Sequence, residues 1–319
     1  MKSVQECQKI LSSEESTCFE KYNCLGLLRS HSTDDAANAL AESYPHLGTS
    51  ELCRHDVMYC MGQMRRSNSL DFLLAHLNDT TEYPIVRHEA AEALSNFFDL
   101  KTEIVKVFDL LLANELSMPE ILKSTLVVAR EKMLTYSEST RFGKKYLGTI
   151  EPAEPMDRAE ISEMAIKNLG QEVSGQLGTE EEFWAVVNRL ALMDIGALGE
   201  YNKHRVAYFL RDTACDGKNV GCADAVRVLE NLMRRENWSV TTGLLRHEVA
   251  FIFGQVYDNA QSSGNILEMV CDDEEESPIV RHEVIMALED ITKSKKKLEK
   301  YLTHGNQVIR ESAEVALHS

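Results

Sequence analysis

Apolar residues recur along this chain with the three-to-four-residue period of an amphipathic helix. In one segment they are Ile85, Val86, Ala90, Ala93, Leu94 and Phe97. Such spacing places the side chains on one face of a helix. No sustained run alternates with the period of two that a half-buried strand shows. The pattern therefore predicts an all-α protein.

Four segments of the sequence repeat one another. They are LCRHDVMYCMGQ from Leu52, IVRHEAAEALSN from Ile85, LLRHEVAFIFGQ from Leu244 and IVRHEVIMALED from Ile279. The first two His residues, His55 and His88, are 33 residues apart, and the last two, His247 and His282, are 35 apart. This period is typical of the helix–turn–helix units in HEAT and tetratricopeptide arrays. It predicts a solenoid of helical pairs.

Weaker copies extend the repeat frame. VIRESAEVALHS from Val308 keeps the apolar positions and Arg310 but lacks the His-acid pair, and YNCLGLLRS from Tyr22 is matched by HRVAYFLRD from His204. Helix-start signals support the frame. Pro84 and Pro278 suit a first helical turn, and Ser50 and Ser277 suit the capping position: these four residues mark where the His-bearing helices begin.

The centre of the sequence breaks the repeat pattern. Residues 137–182 mix Gly and Pro with charged residues, which is typical of a connection, and one short helix is expected around 161–169. We therefore expect an N-terminal HEAT-like half at 1–136, a linker or lid at 137–182 and a C-terminal HEAT-like half at 183–319. A linker this long would allow two pseudo-symmetric sub-arrays to face each other across a metal site.

Composition narrows the functional classes. The chain carries 34 Lys and Arg against 51 Asp and Glu, a net charge of −17, which argues against nucleic acid as the partner. No apolar run approaches a membrane span, and the acidic N-terminus does not resemble a signal peptide. The eight Cys form no CxxC pair, which excludes a zinc ribbon. We expect reduced thiols in a cytoplasmic protein.

Every strong copy contains an Arg-His-acid triplet. Ten His and 51 acids in 319 residues would give only about two His-acid neighbours by chance. Inner helices of a solenoid lie roughly 8–10 Å apart, so two equivalent imidazoles can reach one ion through bonds of about 2.0–2.1 Å. Mixed His and carboxylate donors from helices are the ligands of di-iron carboxylate sites. The quartet predicts two metal half-sites.

At these residues the chain resembles the deoxyhypusine hydroxylase family. The resemblance covers the repeats of both halves, the Gly-Gln pairs at Gly62 and Gly254, and the loop YLGTIEPAEP from Tyr146. It implies a non-haem di-iron monooxygenase that hydroxylates the deoxyhypusine side chain of translation initiation factor 5A to hypusine. Two ferrous ions, molecular oxygen and an external electron donor would be required, and no nucleic acid or membrane partner is implied.

The resemblance also implies roles for individual residues. One iron would be held by His55, His88 and Glu89. The other iron would be held by His247, His282 and Glu283. Asp56 and Glu248 match the family carboxylates that hold the cationic substrate amine.

Two positions depart from symmetry or from the family. Asp56 stands where the family has Glu, which keeps the charge and shortens the reach by one methylene. Met286 occupies the position of Glu92 in the first half, so the surroundings of the two metals are expected to differ.

Three other functions fit parts of the sequence. A HEAT-repeat scaffold that only binds proteins would need no stoichiometric metal. A repeat protein of the bilin-lyase type would not require the four His-acid pairs. A two-zinc hydrolase could be built on the same ligands. Only the hydroxylase accounts for the His quartet, its pairing and the two halves together.

Overall fold

The computed structural model describes residues 2–114, 118–137, 149–169, 179–215, 221–256, 258–292 and 295–318. The regular secondary structure in these ranges is helical, and no β-strand occurs in them. The expectation of an all-α protein is confirmed. None of the described helices combines the length and the apolar character that a membrane crossing needs.

Contacts divide the chain into two compact units. Unit 1 is Met1–Pro152 together with Lys296–Ser319, and unit 2 is Ala153–Lys295. The last helix of the chain therefore packs with the first helices. The predicted division into 1–136, 137–182 and 183–319 rests on the repeats and stays a prediction, as does the facing of two sub-arrays.

The described residues of unit 1 form nine longer helices. They are α1 Val4–Leu11, α2 Cys18–His31, α3 Asp34–Ser43, α4 Glu51–Met64, α5 Leu70–Asn78, α6 Pro84–Leu94, α7 Lys101–Leu112, α8 Glu120–Thr135 and, at the end of the chain, α18 Gln307–His318. In this unit α4 packs on α2 and α6, and α6 packs on α8. The His-bearing α4 and α6 are thus inner helices, covered on both sides.

Unit 2 contains eight helices. They are α9 Arg158–Leu169, α10 Glu180–Ala191, α11 Ile195–Leu198, α12 Glu200–Cys215, α13 Cys222–Met233, α14 Gly243–Gln255, α15 Gly264–Asp272 and α16 Pro278–Thr292. Here α14 packs on α12 and α16. The short α17 Lys295–Leu298 lies at the boundary of the units. The order of packing is the same as around α4 in unit 1.

Short 3₁₀ helices connect several of these elements. They span Tyr44–Leu47, Ser67–Ser69, Phe98–Leu100, Arg235–Asn237, Gln261–Ser263 and Glu299–Thr303. The predicted helix around 161–169 forms the C-terminal three-quarters of α9. Residues 138–148 and 170–178 of the predicted linker lie outside the described residues.

The sequence signals at the helix starts are realised in the structure. The Ser50 hydroxyl accepts a hydrogen bond from the Cys53 amide at 3.2 Å and caps α4. Pro84 is the first residue of α6 and Pro278 is the first of α16, where the missing N–H costs no helical hydrogen bond. These signals fix the register of the helices that carry the site.

The Arg of each repeated triplet has a structural task. Arg54 Nη1 donates to Glu82 at 2.9 Å, and Arg246 Nε donates to Glu276 at 2.6 Å. Both glutamates lie two residues before the proline that opens the next His-bearing helix. The remaining Arg of the frame donate to main-chain carbonyls: Arg87 to Leu77, Arg281 to Cys271, and Arg310 to His304 and Gly305. Arg54 and Arg246 therefore join consecutive repeats, whereas the other three bind their helix to the segment just before it.

Small residues set the distance between α4 and α6. A Cβ placed on Gly62 would lie 2.6 Å from the Cα and Cβ of Ala93, so the two backbones approach as closely as the absence of a side chain allows. In unit 2 a Cβ on Gly254 would lie 3.9 Å from Ala287, an ordinary contact. The helix pair of unit 1 is packed more tightly at this point.

Candidate metal centre

All four His of the quartet occupy the fifth position of their helices. They are His55 in α4, His88 in α6, His247 in α14 and His282 in α16. Equal depth in adjacent packed helices brings the rings together in pairs. The ring centroids lie 5.5 Å apart for His55 and His88, and 6.4 Å apart for His247 and His282.

In unit 1 one carboxylate lies against both imidazoles. Glu89 Oε2 lies 3.3 Å from His55 Nε2 and 3.8 Å from His88 Nε2. All three side chains are at least nine-tenths buried. Two donors bound to one ion at about 2.1 Å lie roughly 3.0–3.6 Å apart. The three atoms therefore lie close to the arrangement of ligands around one metal ion.

Unit 2 has the same arrangement. Glu283 Oε1 lies 3.0 Å from His282 Nε2 and 3.6 Å from His247 Nε2. The ligand atoms of these three residues all lie within 4.8 Å of one another. Each set offers two nitrogens and one carboxylate, and such a set leaves coordination positions open on a ferrous ion. The residues present fit the metal that the resemblance implies.

The other nitrogen of three of these rings has a partner of its own. His88 Nδ1 lies 3.2 Å from Thr125 Oγ1, and this hydroxyl donates its proton to the Ile121 carbonyl at 2.7 Å. The hydroxyl must therefore accept from His88 Nδ1–H, which leaves the lone pair at Nε2, facing Glu89. Partners of this kind fix the tautomer and orientation of metal-binding His residues.

Asp56 and Glu248 provide that partner for the first His of each unit. Asp56 Oδ1 lies 2.8 Å from His55 Nδ1, and Glu248 Oε1 lies 3.3 Å from His247 Nδ1. Each acid therefore lies at the Nδ1 side of its imidazole, away from the carboxylate of Glu89 or Glu283 that faces Nε2. Their predicted contact with a substrate amine stays a prediction.

Electrostatics favour positive charge at both clusters. Burial by itself lowers the pKa of His55, but hydrogen bonds and attraction from Asp56 and Glu89 outweigh it and raise the pKa to about 10. The same balance, with Glu248 and Glu283 as the acids, raises the pKa of His247 well above its usual value. Despite burial, His282 and His247 hold the pKa of the Glu283 carboxyl well below its usual range. Each cluster therefore stabilises a cation.

Two neighbours of the clusters carried no sequence signal strong enough to single them out. Thr125 lies in α8, outside the repeated triplets. Tyr208 donates its hydroxyl proton to Glu248 Oε2 at 2.7 Å. The weak match between the Tyr22 and His204 segments contained Tyr208 but placed Gly26 at the equivalent position in the first half, so the repeat alone did not mark it.

Comparison with known proteins gives a consistent result. No model of a protein family matches the chain. Deoxyhypusine hydroxylase from Aspergillus clavatus is 28% identical over 331 aligned positions, which cover 99% of this chain and 89% of the relative. Deoxyhypusine hydroxylase from Danio rerio is 26% identical and covers 99% of this chain and 91% of the relative. This chain is similar to the deoxyhypusine hydroxylases over nearly its whole length. The resemblance predicted from the repeats is confirmed.

A solved structure supports the fold of this chain. Human deoxyhypusine hydroxylase in complex with glycerol matches with a TM-score of 0.72 at 22% identity, covering 99% of this chain and 94% of that one. The predicted HEAT-like helical solenoid is confirmed by this likeness. The structure brings the six predicted ligands together in their two sets of three, while their assignment as iron ligands stays a prediction.

Proposed function

We propose that the chain hydroxylates the deoxyhypusine side chain of translation initiation factor 5A, giving hypusine, as a non-haem di-iron monooxygenase. The observation that carries this proposal is the duplicated donor set: in each unit one carboxylate oxygen lies 3.0–3.8 Å from the Nε2 atoms of two imidazoles. The relatives are deoxyhypusine hydroxylases, and this supplies the substrate side chain and the reaction. Neither observation alone would specify both the chemistry and its target.

The proposed ligands are His55, His88 and Glu89 for one ferrous ion. For the other they are His247, His282 and Glu283. Imidazole and carboxylate suit Fe²⁺, and two His with one carboxylate leave positions open for reactants. When bound, the two ferrous ions would supply the redox chemistry that inserts one oxygen atom of O₂ into a C–H bond. The second oxygen atom leaves as water, with two protons and two electrons from an external donor.

The protein's own task begins with the imidazoles. Asp56, Thr125 and Glu248 each hold the Nδ1 of one His, so the Nε2 atoms point at the carboxylates before any ligand arrives. Such preorganisation lowers the cost of arranging the donors. The burial of these donor side chains also keeps bulk water away from the reacting positions.

Asp56 and Glu248 have a second proposed role. A carboxylate has two oxygens and about four acceptor sites, so each acid can hold a His and still accept a hydrogen bond from the cationic amine of deoxyhypusine. Glu248 Oε2 already accepts from Tyr208, which fixes the direction of its second oxygen. The shorter Asp56 would hold the amine from a different distance.

The acidic composition agrees with a cationic substrate. A net charge of −17 raises the encounter rate with a basic partner surface and a polyamine-like side chain. We propose that the reaction takes place in the cytoplasm, where the substrate factor acts.

The loop of 146–155 is proposed to cover the reaction. Among its described residues, Ile150 is 3% exposed. Gln63 anchors it from α4: its amide oxygen accepts from the Ile150 N–H at 2.7 Å, and its amide nitrogen donates to the Ile150 carbonyl at 3.1 Å. An anchored, buried segment suits the exclusion of water. Deletion of 146–155 without loss of activity would contradict this role.

The decisive experiment combines metal analysis with a hydroxylation assay. The purified chain is loaded with Fe²⁺ without oxygen, its metal content is measured, and a deoxyhypusine-bearing factor is then supplied with O₂ and a reductant. We expect two iron ions per chain and conversion to hypusine. A chain that binds proteins but holds no stoichiometric metal would support the HEAT scaffold instead, and two tightly held zinc ions with no hydroxylation would support a hydrolase.

A further inference from the structure

Glu92 lies next to the donor set of unit 1. It follows His88 by four residues and Glu89 by three in α6, a spacing that puts all three on one helical face. The ligand atoms of His88, Glu89 and Glu92 lie within 4.8 Å of one another. His88 is fully buried, and its Nδ1 is bound to Thr125, so Nε2 is the donor it offers to this group.

Unit 2 has no carboxylate at the corresponding place. Met286 follows His282 by four residues in α16, just as Glu92 follows His88 in α6. A thioether is a soft, weak acceptor and does not suit a ferrous ion, whereas a carboxylate does. The two sets are therefore alike in their first three donors and unlike in the fourth.

We propose that Glu92 is a fourth protein donor to the metal of unit 1, so that this ion is held by two carboxylates and the ion of unit 2 by one. The inference rests on the proposed metal sites and goes beyond them, because the family resemblance implies one carboxylate per iron.

The difference has a consequence for charge and affinity. Asp56 and Glu248 lie at equivalent places behind the first His of each unit, so Glu92 gives the surroundings of the unit 1 ion one more negative charge than those of the unit 2 ion. Attraction between opposite charges is strong in a buried site. Unit 1 therefore binds its ion more tightly, fills first as metal is added, and releases its ion last to a chelator. The fourth donor also leaves one fewer open position on that ion.

The test exchanges the two side chains. Wild-type protein, Glu92→Met, Met286→Glu and Glu92→Gln are titrated anaerobically with Fe²⁺, and with Co²⁺ as a spectroscopic probe, and the loaded proteins are then challenged with a chelator. Glu103→Gln in α7 is the control, since it removes an exposed acid of unit 1 outside the cluster. Circular dichroism checks that each variant is folded.

We expect two classes of ion in the wild type, which differ at least about tenfold in affinity. Glu92→Met and Glu92→Gln should weaken the tight class about tenfold, so that the two ions leave together, and should change the visible spectrum of Co²⁺ in that class, because its set of donors changes. Met286→Glu should tighten the weak class, and Glu103→Gln should change neither.

The outcomes separate the inference from its foundation. Two bound ions whose affinities and Co²⁺ spectrum are unchanged in both Glu92 variants would overturn the role of Glu92 and leave the metal sites standing. A wild-type chain that binds neither Fe²⁺ nor Co²⁺ would overturn the proposed function and this inference together. If Glu92→Met does not fold, Glu92→Gln and Met286→Glu still decide the question.

Discussion

The two compact units share one scaffold and differ in what surrounds the buried clusters. In both, an Arg–Glu pair joins consecutive repeats, and the His at the fifth helical position meets a carboxylate of the neighbouring helix. The pairs that differ are Gly26 and Tyr208, Asp56 and Glu248, Glu92 and Met286. The shared residues hold helices and donors in place. Of the residues that differ, Asp56, Glu92, Tyr208 and Glu248 lie next to those donors. The two clusters therefore share their donors and differ in the side chains that surround them.

The largest effect is expected where the units agree. His88→Ala and His282→Ala each remove a donor that no neighbour replaces, so each variant should lose the ion of its own unit and at least about 100-fold in hydroxylation. Metal analysis and the hydroxylation assay measure this, with His46→Ala, an exposed residue, as the control. Full iron content in either variant would remove that His from the ligand set.

The next largest difference between the units is expected in the stability of two Gly→Ala variants, because the helices pack more tightly at Gly62 than at Gly254. Gly62→Ala places a methyl group 2.6 Å from Ala93 and should lower the stability of unit 1 by about 3 kcal/mol through overpacking. Gly254→Ala meets nothing closer than 3.9 Å and should be neutral or stabilising, because Ala favours a helix by about 1 kcal/mol over Gly. Thermal and denaturant unfolding of both variants give the comparison, and equal effects would contradict it.

The third prediction concerns the Arg–Glu pair of unit 1 and pH. Glu82 is buried, yet hydrogen bonds from His76, Tyr44 and the Tyr83 amide, with attraction from Arg54, lower its pKa to about 2. Since the pKa in the unfolded chain is about 4.3, the stabilisation is present above that pH and is lost as the pH falls toward 2. Discounted for solvent screening, it amounts to about 2 kcal/mol.

Glu82→Gln should therefore destabilise the protein by about 2 kcal/mol at pH 7 and by about 1 kcal/mol at pH 3. Urea unfolding at both values measures the difference, with Glu103→Gln as a matched exposed control. A deficit of the same size at pH 3 and pH 7 would show that Glu82 acts through packing instead of charge.

A smaller effect is expected from removing the Tyr208 hydroxyl, which lies beside Glu248 in unit 2 and has no counterpart at Gly26 in unit 1. Tyr208→Phe removes the hydrogen bond to Glu248 and should cost about 1 kcal/mol of stability. It should also lower hydroxylation with little change in iron content, because Glu248 is not a proposed ligand. Loss of iron equal to that of His282→Ala would make Tyr208 part of the metal support.

The smallest change is expected for Asp56→Glu. This variant restores the longer acid that Glu248 already provides in unit 2, so iron content should stay the same and hydroxylation should be equal or somewhat higher. Metal analysis and steady-state rates with the substrate factor check it. A loss of iron would show that the short Asp56 is required to hold His55.

Much of the site could be predicted because every strong repeat has the His at the same distance from the start of its helix. Pro84, Pro278 and Ser50 fixed where the helices begin, and a constant distance from those starts brought the His residues together in pairs. The Arg in each triplet was visible in the sequence, but its pairing with a Glu was not. Glu82 and Glu276 stand at equivalent places, two residues before Pro84 and Pro278, yet each lies about thirty residues after its Arg, and only the packing of the helices shows that the two side chains meet.

Contacts between distant, non-repeating segments could not be predicted. Thr125 carries no motif and reaches His88 only because α8 packs on α6. Gly62 and Gly254 look equivalent in sequence, yet only the first is in close contact with the next helix. The packing of α18 on α2 and α4 joins segments from opposite ends of the sequence, and no repeat signals it.

That docking has a consequence for how the molecule is made. In α18, Glu311 accepts a hydrogen bond from Ser50 at 2.8 Å and Glu314 accepts one from the Phe19 amide at 3.2 Å. Because these partners are about 260 and 295 residues apart, the wall beside α4 stays open while the ribosome is still translating. Unit 2, which is continuous in the chain, can fold as soon as its own residues have been translated, whereas the wall that α18 forms beside α4 is added only after Gln307–His318 has been translated.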